Sequence, residues 1–184
     1  KGLIRAAKAE PGRINYASSG PGTGGHLSFE MLKHYAGIDV THIPYKGAGP
    51  ALVDLIAGQV QAMCTSPLPA MPHVKAGRLK ALGMTSRVRS RAAPEIPTVA
   101  EQGVPGYEST LWYALLAPAA TPQAAVKRVH AETVKILKSP DIAGQLLAQG
   151  AEPIGGSPQE LQKFIPAEIQ RWTQAIEKTN IRAD

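Results

Sequence analysis

Three short stretches of this sequence concentrate the groups that bind small anions. Residues 18–26 read Ser18-Ser19-Gly20-Pro21-Gly22-Thr23-Gly24-Gly25-His26, residues 45–50 read Tyr45-Lys46-Gly47-Ala48-Gly49-Pro50, and Thr65-Ser66 forms the third. Each follows a short apolar or β-branched run and precedes a helix-compatible segment. Glycine lets backbone N–H groups close on a guest, hydroxyls add donors, and a helix N-terminus adds partial positive charge. A carboxylate or phosphate is the natural guest of such a set. Tight turns alone would also account for the glycines, more easily in the second loop than in the first. His26, at the start of its helix, has two roles open to it: donating to a ligand or capping its own loop.

The first loop contains G-x-G-x-x-G at Gly20, Gly22 and Gly25, placed between strand and helix as a dinucleotide fingerprint requires. That fingerprint also needs an acidic residue at the far end of the second strand to hold a ribose. Here that end is Tyr45-Lys46, and Asp39 lies before the strand. No G-K-[ST] follows the glycines, so a nucleotide P-loop fails. A Rossmann-type NAD oxidoreductase remains a rival on the glycines alone. No G-x-S-x-G, H-E-x-x-H or closely spaced carboxylate pair occurs in the loop set. Cys64 lies in an expected buried strand and reads as a small apolar residue rather than a nucleophile. A single cysteine allows neither an internal disulfide nor a multi-cysteine zinc site. His34 and His130 fall on helices and His42 in a strand, where structural or solvated roles are the rule. No catalytic residue, metal or cofactor is expected.

The elements that must position these loops repeat one pattern from residue 13 to about 86, a β-run, a Gly-, Pro- and Ser-rich loop, and a helix closed by glycine. That repetition predicts βα units and a parallel sheet. The expected strands cover 14–18, 40–45, 60–65 and 79–85, and the expected helices run 26–36, 51–57 and up to Gly77. In such a sheet ligands bind beyond the carboxyl ends of the strands. A Pro-rich connection at 93–98 leads to a long apolar run, 111–116, read as a buried crossing strand. Thr121-Pro122, Ser139-Pro140 and Ser157-Pro158 then mark three helix starts, and Ser157 with Glu160 has capping-box spacing. Val126, Val129, Thr133 and Ile136 form an apolar face on the first of these helices. Leu161, Phe164, Ile165, Trp172 and Ile176 form one on the last, and both are read as core. Pro166, inside the last helix, should kink it.

The 184 residues carry 43% hydrophobic and 18% charged side chains, enough apolar content for one ordinary globular domain or somewhat more. No apolar run approaches the roughly 18 residues of a membrane span. The net charge of +6 invites a nucleic-acid reading, but its densest cluster, Arg87, Arg89 and Arg91, has no neighbouring aromatic to stack a base. Attraction of an anionic solute is the better use of this charge, and no nucleic-acid partner is expected. The chain opens without Met in an amphipathic stretch, Leu3, Ile4 and Ala7, as though a helix were already under way. Processing or a fragment is the expectation, and no targeting segment is left to read.

The run INYASSGPGTGGHLSFEMLKHYAGIDVTHIPYKGAGPALVDLIAGQVQAM, followed in order by MPHVKAGRLKALGMTS, IPTVAEQGVPGYE, LLAPAATP and LLAQGAEPIGGSPQELQKFI, closely resembles the Bug-type periplasmic solute-binding receptors of tripartite tricarboxylate transporters. The similarity covers essentially the whole chain. It implies an α/β, type II periplasmic-binding-protein-like fold, with a parallel-rich sheet flanked by helices. One intact domain and part of a second are expected. Residues 1–12 would end a domain 1 helix and linker, 13–107 would form domain 2, and 108–184 would supply a crossing strand and the helices completing domain 1. The first half of domain 1 and a signal peptide would precede Lys1. The function implied is capture of a small carboxylate in the periplasm and its delivery to membrane permease subunits, without catalysis.

Carried over residue by residue, the resemblance puts Ser18, Ser19, Gly22, Thr23 and His26 in the carboxylate loop. Tyr45 and Lys46 fall on the neighbouring loop and Thr65 and Ser66 on the third. Many relatives have Asp-Asn at the last pair. Its replacement removes a partner for an amino group and favours a plain di- or tricarboxylate or an aromatic acid. Pro166 is unusual for the family's last helix. An effector-sensing domain of a transcription regulator is a rival from another class, and it would need a helix-turn-helix that the chain does not show. Left with apolar helix faces, the chain is expected to self-associate.

Overall fold

The computed structural model describes residues 1–179. Helix α1 (Gly2–Ala9) leads into three βα units: β1 (Asn15–Ser18), α2 (Gly24–Ala36), β2 (Thr41–Pro44), α3 (Ala48–Ile56), β3 (Ala62–Met63) and α4 (Pro67–Lys75). Three further helices follow a long irregular stretch: α5 (Gln123–Lys138), α6 (Pro140–Ala148) and α7 (Pro158–Thr179). The sheet is parallel with order β2-β1-β3, and Tyr16 pairs with His42 on one side and Ala62 on the other.

β1 is central because both of its faces find apolar cover, as a parallel strand requires. Side chains alternate across the sheet, so Tyr16 joins Ala7, Phe29, Ile38, Val40 and Ala62 on one face. Ala17 joins Ala51 and Val60 on the other. Helix α1 thereby packs into the same core as α2 through Ala7, which is fully buried. Leu3 and Ile4 of the same helix pack against this core. Gly37 ends α2 in the left-handed conformation (φ 58°), donating to the His34 carbonyl, while Ile38 N–H donates to that of Lys33. This is the paired closure for which a residue without Cβ is suited.

The α/β class and the parallel units appear as the sequence predicts, but three expectations fail. Residues 79–85 form no fourth strand; Met84 makes one parallel bridge to Thr98 and nothing more. Its partner segment contains Pro97, which accepts from Met84 N–H but has no N–H to extend a ladder. The run 111–116 carries no ladder either, and Tyr113, Leu115 and Leu116 are exposed, since no strand among the described residues lies beside it. The face of α5 taken as core is also largely open, with Val129 and Ile136 each 54% exposed.

Helix α7 splits its stripe. Trp172 and Ala175 pack on Met31, Val104 and Tyr107, whereas Phe164 remains exposed with its ring edge against Trp112. The helix is continuous through Pro166. Its start has the expected capping box: Ser157 N–H donates to Glu160 Oε2 (2.6 Å) and Glu160 N–H to Ser157 Oγ (3.2 Å). At α5 the boundary shifts by one residue, Pro122 rather than Thr121 standing at the N-cap.

The core contacts set unequal costs for truncation. Phe29→Ala should lose about 3 to 5 kcal/mol, because Phe29 is buried against Tyr16. Val53→Ala, at a position 65% exposed on α3, should stay within about 0.5 kcal/mol. Urea unfolding of the two variants beside the parent chain measures both.

Candidate functional site

A cavity of about 300 Å³ lies at the carboxyl ends of β1 and β3. Ser19, Thr23, Gly24 and Gly25 line it from the β1–α2 loop, Ala48 from the start of α3, Cys64, Thr65 and Ser66 from the β3–α4 connection. Leu111, Trp112 and Tyr113 complete the lining. No charged side chain contributes. The starts of α2, α3 and α4 all border this space, and none of the three has a side-chain cap. Thr23, at the N-cap of α2, turns its hydroxyl back to the Gly20 carbonyl (2.7 Å). The N–H groups of Gly24 and Gly25 in α2, Ala48 and Gly49 in α3 and Leu68 in α4 have no carbonyl one turn earlier within their helices, whereas Pro50, Pro67 and Pro69 carry no N–H, so α4 offers least.

The loop reaches this position because its neighbours leave no room for anything larger. A Cβ on Gly25 would strike the Cys64 carbonyl, and one on Gly24 would strike Leu111. The first clash is with backbone and could be relieved only by moving the start of α2 away from the end of β3. Gly20, at φ 130°, also lies against the Tyr45 carbonyl, and Gly47 N–H donates to the Ser19 carbonyl (3.2 Å). The first two loops are tied together through backbone.

Behind the cavity stands a column of rings. Phe29 stacks on Tyr16 (4.0 Å between centroids), Tyr16 on His42 (4.8 Å) and His42 on His26 (4.2 Å). His26 is buried, and its Nδ1 accepts a hydrogen bond from Gly22 N–H (3.2 Å). His42 Nε2 shares a hydrogen bond with Ser18 Oγ (2.6 Å), which also accepts from Gly20 N–H (3.1 Å). The Tyr16 hydroxyl donates to Glu30 Oε1 (2.6 Å), itself paired with Lys33 (2.9 Å). Burial lowers the pKa of both histidines, and for His42 the neighbouring His26 lowers it further.

The nine residues named from the sequence therefore separate into three groups. Ser19, Thr23, Thr65 and Ser66 line the cavity. Ser18, Gly22 and His26 stand behind the loop, where His26 Nδ1 caps it through Gly22 N–H. Tyr45 and Lys46 stand outside the lining; the Tyr45 hydroxyl donates to Asp54 Oδ2 (2.7 Å), and Lys46 is exposed. Gly22 N–H is already engaged by His26, which weighs against the dinucleotide fingerprint. Sequence reasoning missed Leu111, Trp112 and Tyr113, because an apolar run of six reads as a buried strand. The available signal was two adjacent aromatics in a chain with only 5% aromatic residues. Burial raises the Cys64 thiol to about 11, which keeps it protonated. Among the described residues no cluster of His, Cys, Asp or Glu could hold a metal ion.

In this parallel α/β unit helix N-termini border a hydroxyl-lined cavity, an arrangement whose backbone amides can meet a small anion. The chain belongs to the tripartite tricarboxylate transporter family receptors, whose model matches residues 1–181. It is 34% identical to protein BugT of Bordetella pertussis over 98% of this chain and 55% of that protein. Among solved structures it is similar to an R. palustris protein with adipate (37% identity, TM-score 0.92, 97% of this chain and 60% of the other). It is also similar to MatC from Rhodopseudomonas palustris with bound malate (29% identity, TM-score 0.84, 95% and 60%). The chain spans about half the length of the curated relatives it matches. The fold agrees with these structures and with that of the periplasmic binding protein BugD (29% identity, TM-score 0.90, 98% of this chain and 61% of the other).

The histidine pair gives the fold a pH dependence with a definite sign. Both folded-state values lie below the ordinary 6.5, so the unfolded chain takes up protons that the folded chain refuses. Stability is full above about pH 7.5 and falls as pH drops through 6.5 and below. The lowered carboxylates Glu101, Glu160 and Glu168 act only in a more acidic window, below 4.5. Thermal unfolding followed at pH 7.5, 6.5 and 5.5 should show the falling midpoint, and His26→Asn should flatten it.

Proposed function

We propose that this chain is the solute-binding portion of an extracytoplasmic receptor that takes a small carboxylate into the cavity and serves a tripartite membrane transporter. The observation that carries the reading is the meeting of three helix starts without side-chain caps at one uncharged cavity. Their backbone amides and the hydroxyls of Ser19, Thr23, Thr65 and Ser66 supply donors, and no acidic side chain is present to repel an anion. The relatives' adipate and malate support a carboxylate as the guest. Membership of the family supports a periplasmic location, delivery to permease subunits and binding without catalysis. No helix among the described residues is long and apolar enough to cross a membrane.

Selectivity against amino acids follows from the same lining. An ammonium group brought into this cavity meets donors and no carboxylate, and burying it unpaired is costly. Malate and aspartate differ at one carbon in carrying hydroxyl or ammonium, which makes them the test pair. Titrated into the isotope-labelled chain, malate should move the amide resonances of Thr23, Gly24, Gly25 and Ala48 at lower concentration than aspartate. No movement with either acid would defeat the reading.

The exposed apolar side chains at 113–116 and on α5 support self-association. Light scattering across a concentration series should show mass rising above that of one chain, and a constant monomer mass would remove this part of the proposal.

A further inference from the structure

The cavity has two unlike parts, and only one of them suits a charge. Hydroxyls and helix-start amides come from the three βα connections, whereas Leu111, Trp112 and Tyr113 bring hydrocarbon and aromatic surface. Leu111 lies against Gly24, its Cδ2 standing where a Cβ on that residue would fall. The Trp112 indole N–H donates to Glu168 Oε2 (3.1 Å), its ring meets the Phe164 edge (5.2 Å), and Glu168 is held in turn by Arg171 (2.7 Å). The third, Tyr113, is 78% exposed at the rim and is not needed to hold the fold. A short acid bearing hydroxyls or a second charge near the first would set polar groups against this apolar surface without partners. An acid with a hydrocarbon or aromatic body would cover it.

We propose that the solute is a carboxylate with an apolar body, its carboxylate at the starts of α2 and α3 and its body against Leu111, Trp112 and Tyr113. This rests on the carboxylate reading above and narrows it to one class. Tyr113 is then a specificity-determining residue, contributing ring surface and not its hydroxyl. Each methylene or ring edge covered favours the longer acid over the shorter, as a hydrophobic subsite does.

The test titrates benzoate, adipate and malate into the labelled 184-residue chain, the Tyr113→Ser variant and the Tyr113→Phe variant, following the amides of Thr23, Gly24 and Gly25. In the parent chain benzoate and adipate should bind roughly tenfold more tightly than malate. Tyr113→Phe should keep that advantage, and Tyr113→Ser should remove most of it by weakening benzoate and adipate far more than malate. Malate binding as tightly as both other acids would overturn the apolar subsite and leave the carboxylate reading standing. So would an equal loss for all three acids in Tyr113→Ser. No response to any acid would overturn both. The exposure of Tyr113 keeps either variant foldable, and an unchanged amide spectrum in the absence of ligand checks this.

Discussion

The stack that runs from Phe29 through Tyr16 and His42 to His26 is the contact on which the cavity depends. It joins α2, the central strand, the edge strand and the loop in one column of rings, and its polar atoms are directed at the loop's backbone. His26 takes the Gly22 N–H and Ser18 takes that of Gly20, so two loop amides are fixed by side chains within the core. A Gly-rich loop left to itself would sample many conformations at the cost glycine always carries. Here the core determines the loop's shape, and function sits on a rigid support. The requirement that both imidazoles stay neutral is the consequence. A proton on His26 Nδ1 would face the Gly22 N–H, and a charged His42 would face a charged His26 across 4.2 Å.

The same arrangement explains why the helices around the cavity carry no side-chain caps. A Ser, Thr or Asp bonding to its own helix start would stabilise the helix by about 1 kcal/mol and occupy the donors a ligand needs. Thr23 and Ser66 both stand at such starts, yet Thr23 bonds to Gly20 instead and Ser66 makes no cap bond. Far from the cavity, α7 uses Ser157 and Glu160 in a complete reciprocal cap. Two residues with the same chemistry thus serve stability in one place and leave donors open in another. At Thr23 the Gly20 carbonyl takes the hydroxyl, and at Ser66 the residue three positions on is Pro69, which has no N–H to donate to a cap.

Local chemistry made the βα part of this chain legible. β-runs, Gly-rich connections and the glycine that closes α2 each act over a few residues, so the parallel units and the hydroxyl side of the cavity could be placed from Ser19, Thr23, Thr65 and Ser66. What could not be read depends on partners distant in sequence. His42 looked like an isolated strand histidine because its stack on His26 and its bond to Ser18 require the β1–β2 pairing. Tyr45 looked like a loop donor, although its hydroxyl is taken by Asp54, nine residues on in α3. Residues 79–85 have strand composition, but a strand exists only where a neighbour offers a ladder, and the neighbour contains Pro97. The apolar periodicity of α5 was read correctly as a face; periodicity carries no information on whether that face is covered.

That last point bears on how strongly the cavity can hold a solute. A broad cleft of about 2230 Å³ opens between the βα unit and the C-terminal helices, bordered by Leu115, Leu116, Val129 and Phe164. Protein interiors are packed as densely as organic crystals, so this space is a surface and not a core. Leu111, Trp112 and Tyr113 border both the cleft and the cavity, which leaves the cavity's apolar side in contact with water. Hydrogen bonds from amide to carboxylate strengthen as water is excluded, and each remains modest while water competes. Covering the cleft therefore acts on affinity without adding a contact to the solute. Whatever fills it dries the apolar side. A difference of about 4 kcal/mol from such drying would correspond to roughly a thousandfold in dissociation constant.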